Sequence, residues 1–198
     1  FFGRRTDVDE VIRTLMDAAE HRRPPFLLLT GPSGIGKSSF ARAGLIHALM
    51  ARGVVPRAPG TGGLTRSSRG WRTHVALPQG AGSDAAERLI LDLGQALFPG
   101  DAGPLIGLAK EIRETRFDEE NDRFSDDLRL KIQEVLAASM RKAGDTGLLI
   151  VFDQFNEILE AGRPPEARRL AALLEALAGG AARDVWVCAV NADSARGE

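Results

Sequence analysis

Residues Gly31-Pro32-Ser33-Gly34-Ile35-Gly36-Lys37-Ser38 fit the pattern G-x-x-x-x-G-K-[ST]. That pattern needs a strand before it and a helix after it. Residues 26–30, Phe-Leu-Leu-Leu-Thr, supply a short apolar run of strand length. Over 38–51 the apolar residues Phe40, Ala41, Leu45, Ala48 and Leu49 recur at helical spacing. Glycines at 31, 34 and 36 permit backbone torsions and close approaches that a Cβ would forbid. Successive N–H groups then point into one hollow and bind phosphate oxygens, helped by the positive end of the helix. In such a loop Lys37 reaches the terminal phosphates and the Ser38 hydroxyl ligates Mg²⁺. Pro32, Ser33, Ile35 and Ser39 complete the candidate binding stretch. The alternative is a glycine-rich turn that fits the pattern by chance, and the two correct flanks argue against it.

The rest of the chain reads as alternating helices and strands. A helix capped by Asp7 or Thr6 has an inward face of Val8, Val11, Ile12, Leu15, Met16 and Ala19, and Pro24-Pro25 ends it. Residues 52–70 are rich in Gly, Pro, Arg and Ser and read as an exposed loop. Arg66, Arg69 and Arg72 accompany Trp71 there, a basic cluster with an aromatic that suits either nucleic acid or plain solvation. A strand is expected over 73–77. Ser83 or Asp84 caps the next helix, with Glu87 placed to complete a capping box. A further helix is expected over 105–114. The acidic stretch 115–127 reads as a solvated linker, its spacing matching no calcium loop. Ser125 opens a helix that Gly144 closes. The apolar runs 148–152 and 185–190 read as strands buried on both faces of a parallel sheet, ending in Asp153 and Asn191. Helices are expected over 154–160 and from Pro164-Pro165 to Gly179-Gly180. The order implies an α/β domain with a mostly parallel sheet and helices on both faces.

Composition limits the partners. The chain has 198 residues and a formal net charge of −1, so bulk charge gives no argument for nucleic acid or an anionic membrane. No run approaches the roughly 18 apolar residues of a membrane span. Cys188 is the only cysteine, so no internal disulfide is possible, and a cytoplasmic setting is the expectation. The chain begins at Phe1 and ends soon after an expected strand, which suggests an excised piece of a longer protein.

In open α/β sheets ligands sit beyond the carboxyl ends of the strands. Asp153 is at such an end and can share the Mg²⁺ shell with Ser38. Glu157, one helical turn on, can polarise an attacking water, or it is simply a solvent-facing helix residue. The Asn156 amide can orient by hydrogen bonding but accepts no proton. Asn191 can bond the γ-phosphate or the water, or serve as a turn residue.

Four stretches together resemble the NTPase domain of the STAND class, signal-transduction ATPases with numerous domains, in its bacterial novel STAND branch. They are Phe2-Gly3-Arg4; residues 31–39 with Ala41-Arg42-Ala43-Gly44-Leu45; residues 148–152 with Asp153-Gln154-Phe155 and Glu157; and residues 187–190 with Ala192-Asp193. The second and third resemble that class's Walker A and Walker B segments. The resemblance implies a three-layer α-β-α P-loop NTPase fold of the ASCE type, truncated before the last strand and lid. It also implies binding of ATP or ADP with Mg²⁺, with Gly3 and Arg4 closing over the adenine side, and a nucleotide-driven switch that self-assembles in the full-length protein. The family usually carries an acidic residue at Asn156, an arginine at Asn191 and an acidic residue at Arg5, and loss of that carboxylate points to slow turnover. Asn191 instead resembles the sensor of related AAA+ ATPases. Two alternatives follow: a catalytically weak nucleotide-binding scaffold, and an AAA+-like ATPase acting on DNA.

Overall fold

The computed structural model describes residues 4–21, 23–52, 54–55, 66–67, 70–77, 84–115, 117–118, 123–155, 157, 164–178 and 185–191. In chain order the elements are α1 (Arg5–Glu20), β1 (Phe26–Leu29), α2 (residues 37–52), β2 (Val54–Val55), β3 (Arg66–Ser67) and β4 (Trp71–Ala76). They continue with α3 (Ala85–Leu97), α4 (Gly103–Glu114), α5 (Asp126–Ala143), β5 (Gly147–Phe152), α6 (Pro164–Ala178) and β6 (Val185–Val190).

Four strands form one parallel sheet in the order β1-β6-β5-β4. Every residue of β5 and β6 is buried, which explains their unbroken apolar sequences: a parallel sheet roofed on both faces offers no wet side. Alternation along the strands sorts the core into two halves. Leu148, Ile150, Phe152, Val185 and Val187 face α3, α4, α5 and α6. Leu149, Val151, Trp186, Cys188 and Val190 face α1 and α2. The result is the three-layer α/β arrangement that the strand and helix order implies.

Several local expectations meet their residues. Val8, Ile12, Leu15, Met16 and Ala19 are the buried face of α1, with Val11 packed beside them. Asp84 caps α3 by accepting from the Ala86 N–H at 2.9 Å, Ser125 caps α5, and Gly144 ends α5 with φ 75°. Other expectations need correction. Helix α1 starts at Arg5 with no side-chain cap, so neither Thr6 nor Asp7 serves. The Glu87 carboxylate bonds to Arg113 at 3.0 Å, so α3 and α4 are tied together at the place where a capping box was expected. Segment 52–70 contains a short antiparallel pairing, Val54 with Ser67 and Val55 with Arg66; residues 56–65, 68 and 69 lie outside the described set. The strand expected at 73–77 begins at Trp71. The Trp71 ring is buried at 5 % exposure, and its indole is edge-on to Trp186. Arg72 is equally committed, donating to Asp145 at 2.7 Å and to the Leu97 carbonyl at 2.9 Å. The basic-aromatic cluster read in the sequence therefore loses two of its members to the sheet. Within 115–127, Asp118 and Arg123 pair across a small bridge, and Phe124 is buried with Phe117 edge-on to it; residues 116 and 119–122 lie outside the described set.

The chain does not enter a helix directly after β5. Gln154 takes φ 63°, a left-handed conformation that side chains other than glycine seldom adopt, and turns the backbone sharply past Asp153. The Glu157 N–H then closes on the Gln154 carbonyl at 3.0 Å. Residues 158–160 and the glycines 179 and 180 lie outside the described set.

Candidate functional site

The carboxyl ends of the sheet strands are stitched together one step beyond the strands themselves. Asp153 N–H bonds the Ala76 carbonyl at 3.0 Å, Phe155 N–H bonds Val190 at 2.9 Å, and Asn191 N–H bonds Leu29 at 2.9 Å. These bonds set Asp153 and Asn191 at fixed heights above the sheet edge, beside the turn that leaves β1.

That turn is the glycine-rich stretch. Gly34 and Gly36 have φ of 82° and 93°, so their torsions exclude ordinary side chains. A Cβ built on either would meet nothing within 4 Å, so the hollow in front of them is open. Gly36 caps the helix that follows, and the Phe40 N–H closes the first turn on the Gly36 carbonyl at 2.8 Å. The Lys37 ammonium donates to the carbonyls of Gly31 and Pro32 at 2.6 and 2.7 Å, so it lies folded along the loop. A cleft of about 310 Å³ opens above, lined by Ser33, Gly34, Gly36, Lys37, Ser38, Ser39, Asp153, Gln154 and Val190.

Ser38 and Asp153 meet at its floor. The Ser38 hydroxyl donates to Asp153 Oδ1 at 2.8 Å across 115 positions of sequence. The Gln154 N–H donates to the same oxygen at 3.0 Å, and Arg42 donates to Oδ2 at 2.7 Å. Asp153 is buried at 3 % exposure, and three donors share its two oxygens. Behind it, burial and then the Asp153 charge push the Cys188 thiol up to about 12.

The donor chemistry fits a magnesium nucleotide. Two hard oxygens, one of them a buried carboxylate, stand in contact beside an open hollow at a helix N-terminus. Magnesium takes oxygen ligands from one or two side chains and the rest from phosphate and water. Ser38 and Asp153 are the residues that could hold it.

The remaining sequence candidates stand as follows. Gly31, Pro32 and Ile35 do not line the cleft, and Ile35 is half exposed. Asn191 is half buried next to Val190, and its Oδ1 is buried without a hydrogen-bond partner among the described residues. Glu157 is exposed and does not line the cleft. Arg4 is exposed at the start of α1. Gly3 and Asn156 lie outside the described residues. Two contributors carried no assigned role in the sequence reading: Gln154, through its backbone, and Arg42. A signal for Arg42 was present, because it follows Ser38 by four positions on one helix and so shares its face.

A parallel sheet in this order, with a glycine loop, a lysine and a serine–aspartate pair at its carboxyl edge, defines a P-loop NTPase-like domain. The chain matches the family described as Novel STAND NTPase 1 over residues 1–196, and it belongs to that family. No curated protein matches it. The resemblance read from its four motifs is thereby met at the level of family and fold. Among the described residues no helix is long and apolar enough to cross a membrane.

Proposed function

We propose that this chain binds ATP with magnesium at the 31–39 loop, hydrolyses it slowly, and serves as the switch domain of a signalling protein. The contact between Ser38 and Asp153 at 2.8 Å carries the reading, because it brings together the two oxygens that a magnesium site needs from opposite halves of the chain. Loop amides and Lys37 hold the phosphates. To do so Lys37 exchanges the carbonyls of Gly31 and Pro32 for phosphate oxygens, a swap of neutral acceptors for charged ones. Ser38 and Asp153 would hold the metal, which would supply positive charge against the phosphates. Glu157 or Asn156 orients the water, and Asn191 offers its amide to the γ-phosphate or the water; Gly3 and Arg4 approach the adenine side. Contacts that exist only with the γ-phosphate give the two states of a switch, and self-assembly of the full-length protein is the readout the family suggests.

A second reading has one observation in its favour. Glu157 does not line the cleft, which suits a scaffold that holds nucleotide without efficient turnover. Single-turnover hydrolysis with wild type and Glu157→Gln tests this. A slower variant with unchanged ATP affinity supports the enzyme; wild type and variant that hydrolyse equally slowly while binding ATP equally well support the scaffold. Calorimetric titration with ATP and MgCl₂ tests the shared premise, and a wild-type chain that takes up no nucleotide would refute both.

A further inference from the structure

We propose that Arg42 is a positioning residue: by holding Oδ2 of Asp153 it presents Oδ1 to Ser38 and the cleft, and so sets how strongly magnesium strengthens nucleotide binding. The inference rests on the reading of the site given above.

The arrangement argues for it in three steps. A carboxylate turns easily about its last torsion, so one well-held oxygen does not fix the other. In Asp153, Oδ1 has Ser38 and Gln154 as donors, and Arg42 donates to Oδ2 at 2.7 Å. The three bonds together leave the group one orientation. Second, Arg42 reaches Asp153 from outside the cleft. Asp153 lines the cleft and Arg42 does not, and their side chains are 4 % and 47 % exposed. The guanidinium thus touches the carboxylate without lining the cleft. Third, the backbone that carries Arg42 is anchored. It lies in a π-helical segment of α2, Phe40–Ile46, whose residues Phe40, Ala41, Gly44 and Leu45 are buried. Such widened turns are rare and concentrate at functional sites. Residues that orient a metal ligand without touching the metal typically change its affinity about 10–100-fold when removed.

The test uses the 198-residue chain and ATP carrying a fluorescent N-methylanthraniloyl group. Its Kd is measured in excess MgCl₂ and in EDTA for wild type, Arg42→Ala and Arg42→Lys, with circular dichroism to show folding. The readout is the ratio of the EDTA to the magnesium Kd. For Arg42→Ala the ratio should fall about tenfold while the EDTA value stays within about twofold of wild type. Arg42→Lys, which keeps the charge but loses the planar fork, should fall in between, and it carries the test if the alanine variant does not fold. An unchanged ratio overturns the proposal. So does an equal loss in both buffers, which marks a general effect on the loop, and so does a raised ratio, which makes Arg42 a competitor of the metal. Wild type that binds the nucleotide with no magnesium dependence, or not at all, removes the site reading and this inference together. The wild-type arm therefore separates the two failures.

Discussion

Lys37 is already hydrogen-bonded to its own loop, through the carbonyls of Gly31 and Pro32, and its removal should cost binding rather than folding. Lys37→Ala is expected to weaken ATP affinity by about 30-fold or more, the loss of one charged hydrogen bond at roughly 2 kcal/mol or above. Its thermal midpoint should stay near that of wild type; retained affinity in the folded variant would refute the placement. Asp153→Ala should remove the magnesium-dependent part of binding, and a loss equally large in EDTA would argue against metal contact. The glycine loop, Lys37 and Ser38 were legible from their spacing, and Asp153 from its place at the end of a buried apolar run; the structure brings Ser38 and Asp153 into contact. The left-handed turn at Gln154 was not, since glutamine announces no such torsion. Nor was the destination of Arg42, whose partner lies 111 positions away.

Single elements hold surprises of the same origin. Strand β4 was expected two residues late because Arg, Gly and Ser around it resemble a loop, yet Trp71 is core. The neighbouring strand makes room for it. A Cβ at Gly147 would fall 2.1 Å from Trp71 Cε2, and Trp71 in turn sits 4.6 Å, centroid to centroid, from Trp186. Gly147→Ala should therefore lower stability in urea by about 1–3 kcal/mol, the usual cost of overpacking. A value indistinguishable from wild type would mean that the ring can move aside freely. His74 lies on the same strand, in a cavity of about 400 Å³ with Asp92 and Gln95. Burial lowers its pKa from 6.5, and Asp92 pulls it only partly back. Above that value the ring is neutral folded and unfolded alike, so it contributes no pH dependence. As pH falls through 6.5 the unfolded chain takes up a proton that the folded one resists, and stability drops until the folded pKa is passed. His74→Gln should flatten this part of the curve in urea titrations between about pH 7.5 and 5.5. A slope unchanged by the substitution would assign it elsewhere.

For the whole molecule, the alternation of apolar strands with amphipathic helices made an α/β sheet legible before any coordinates. The strand order was not, because β1 adds to β6 at the far end of the chain and nothing local marks that neighbour. The placement of Cys188 follows from the layering: on β6 it is fully buried in the half of the core that faces α1 and α2, and its thiol is pushed up to about 12. Ellman's reagent should react negligibly with the folded chain and with one thiol per chain in denaturing urea. Rapid reaction of the native protein would show that this layer opens readily.

The pairing of Trp71 with Trp186 also gives the protein a built-in optical gauge. Both tryptophans lie on the side of the sheet under α1 and α2, and the chain has no tyrosine. Near-ultraviolet emission therefore watches one half of the interior, while most of the helical ellipticity comes from the other. If the halves melt together, the two signals trace one curve. If they part, the spectra will name the half that leaves first.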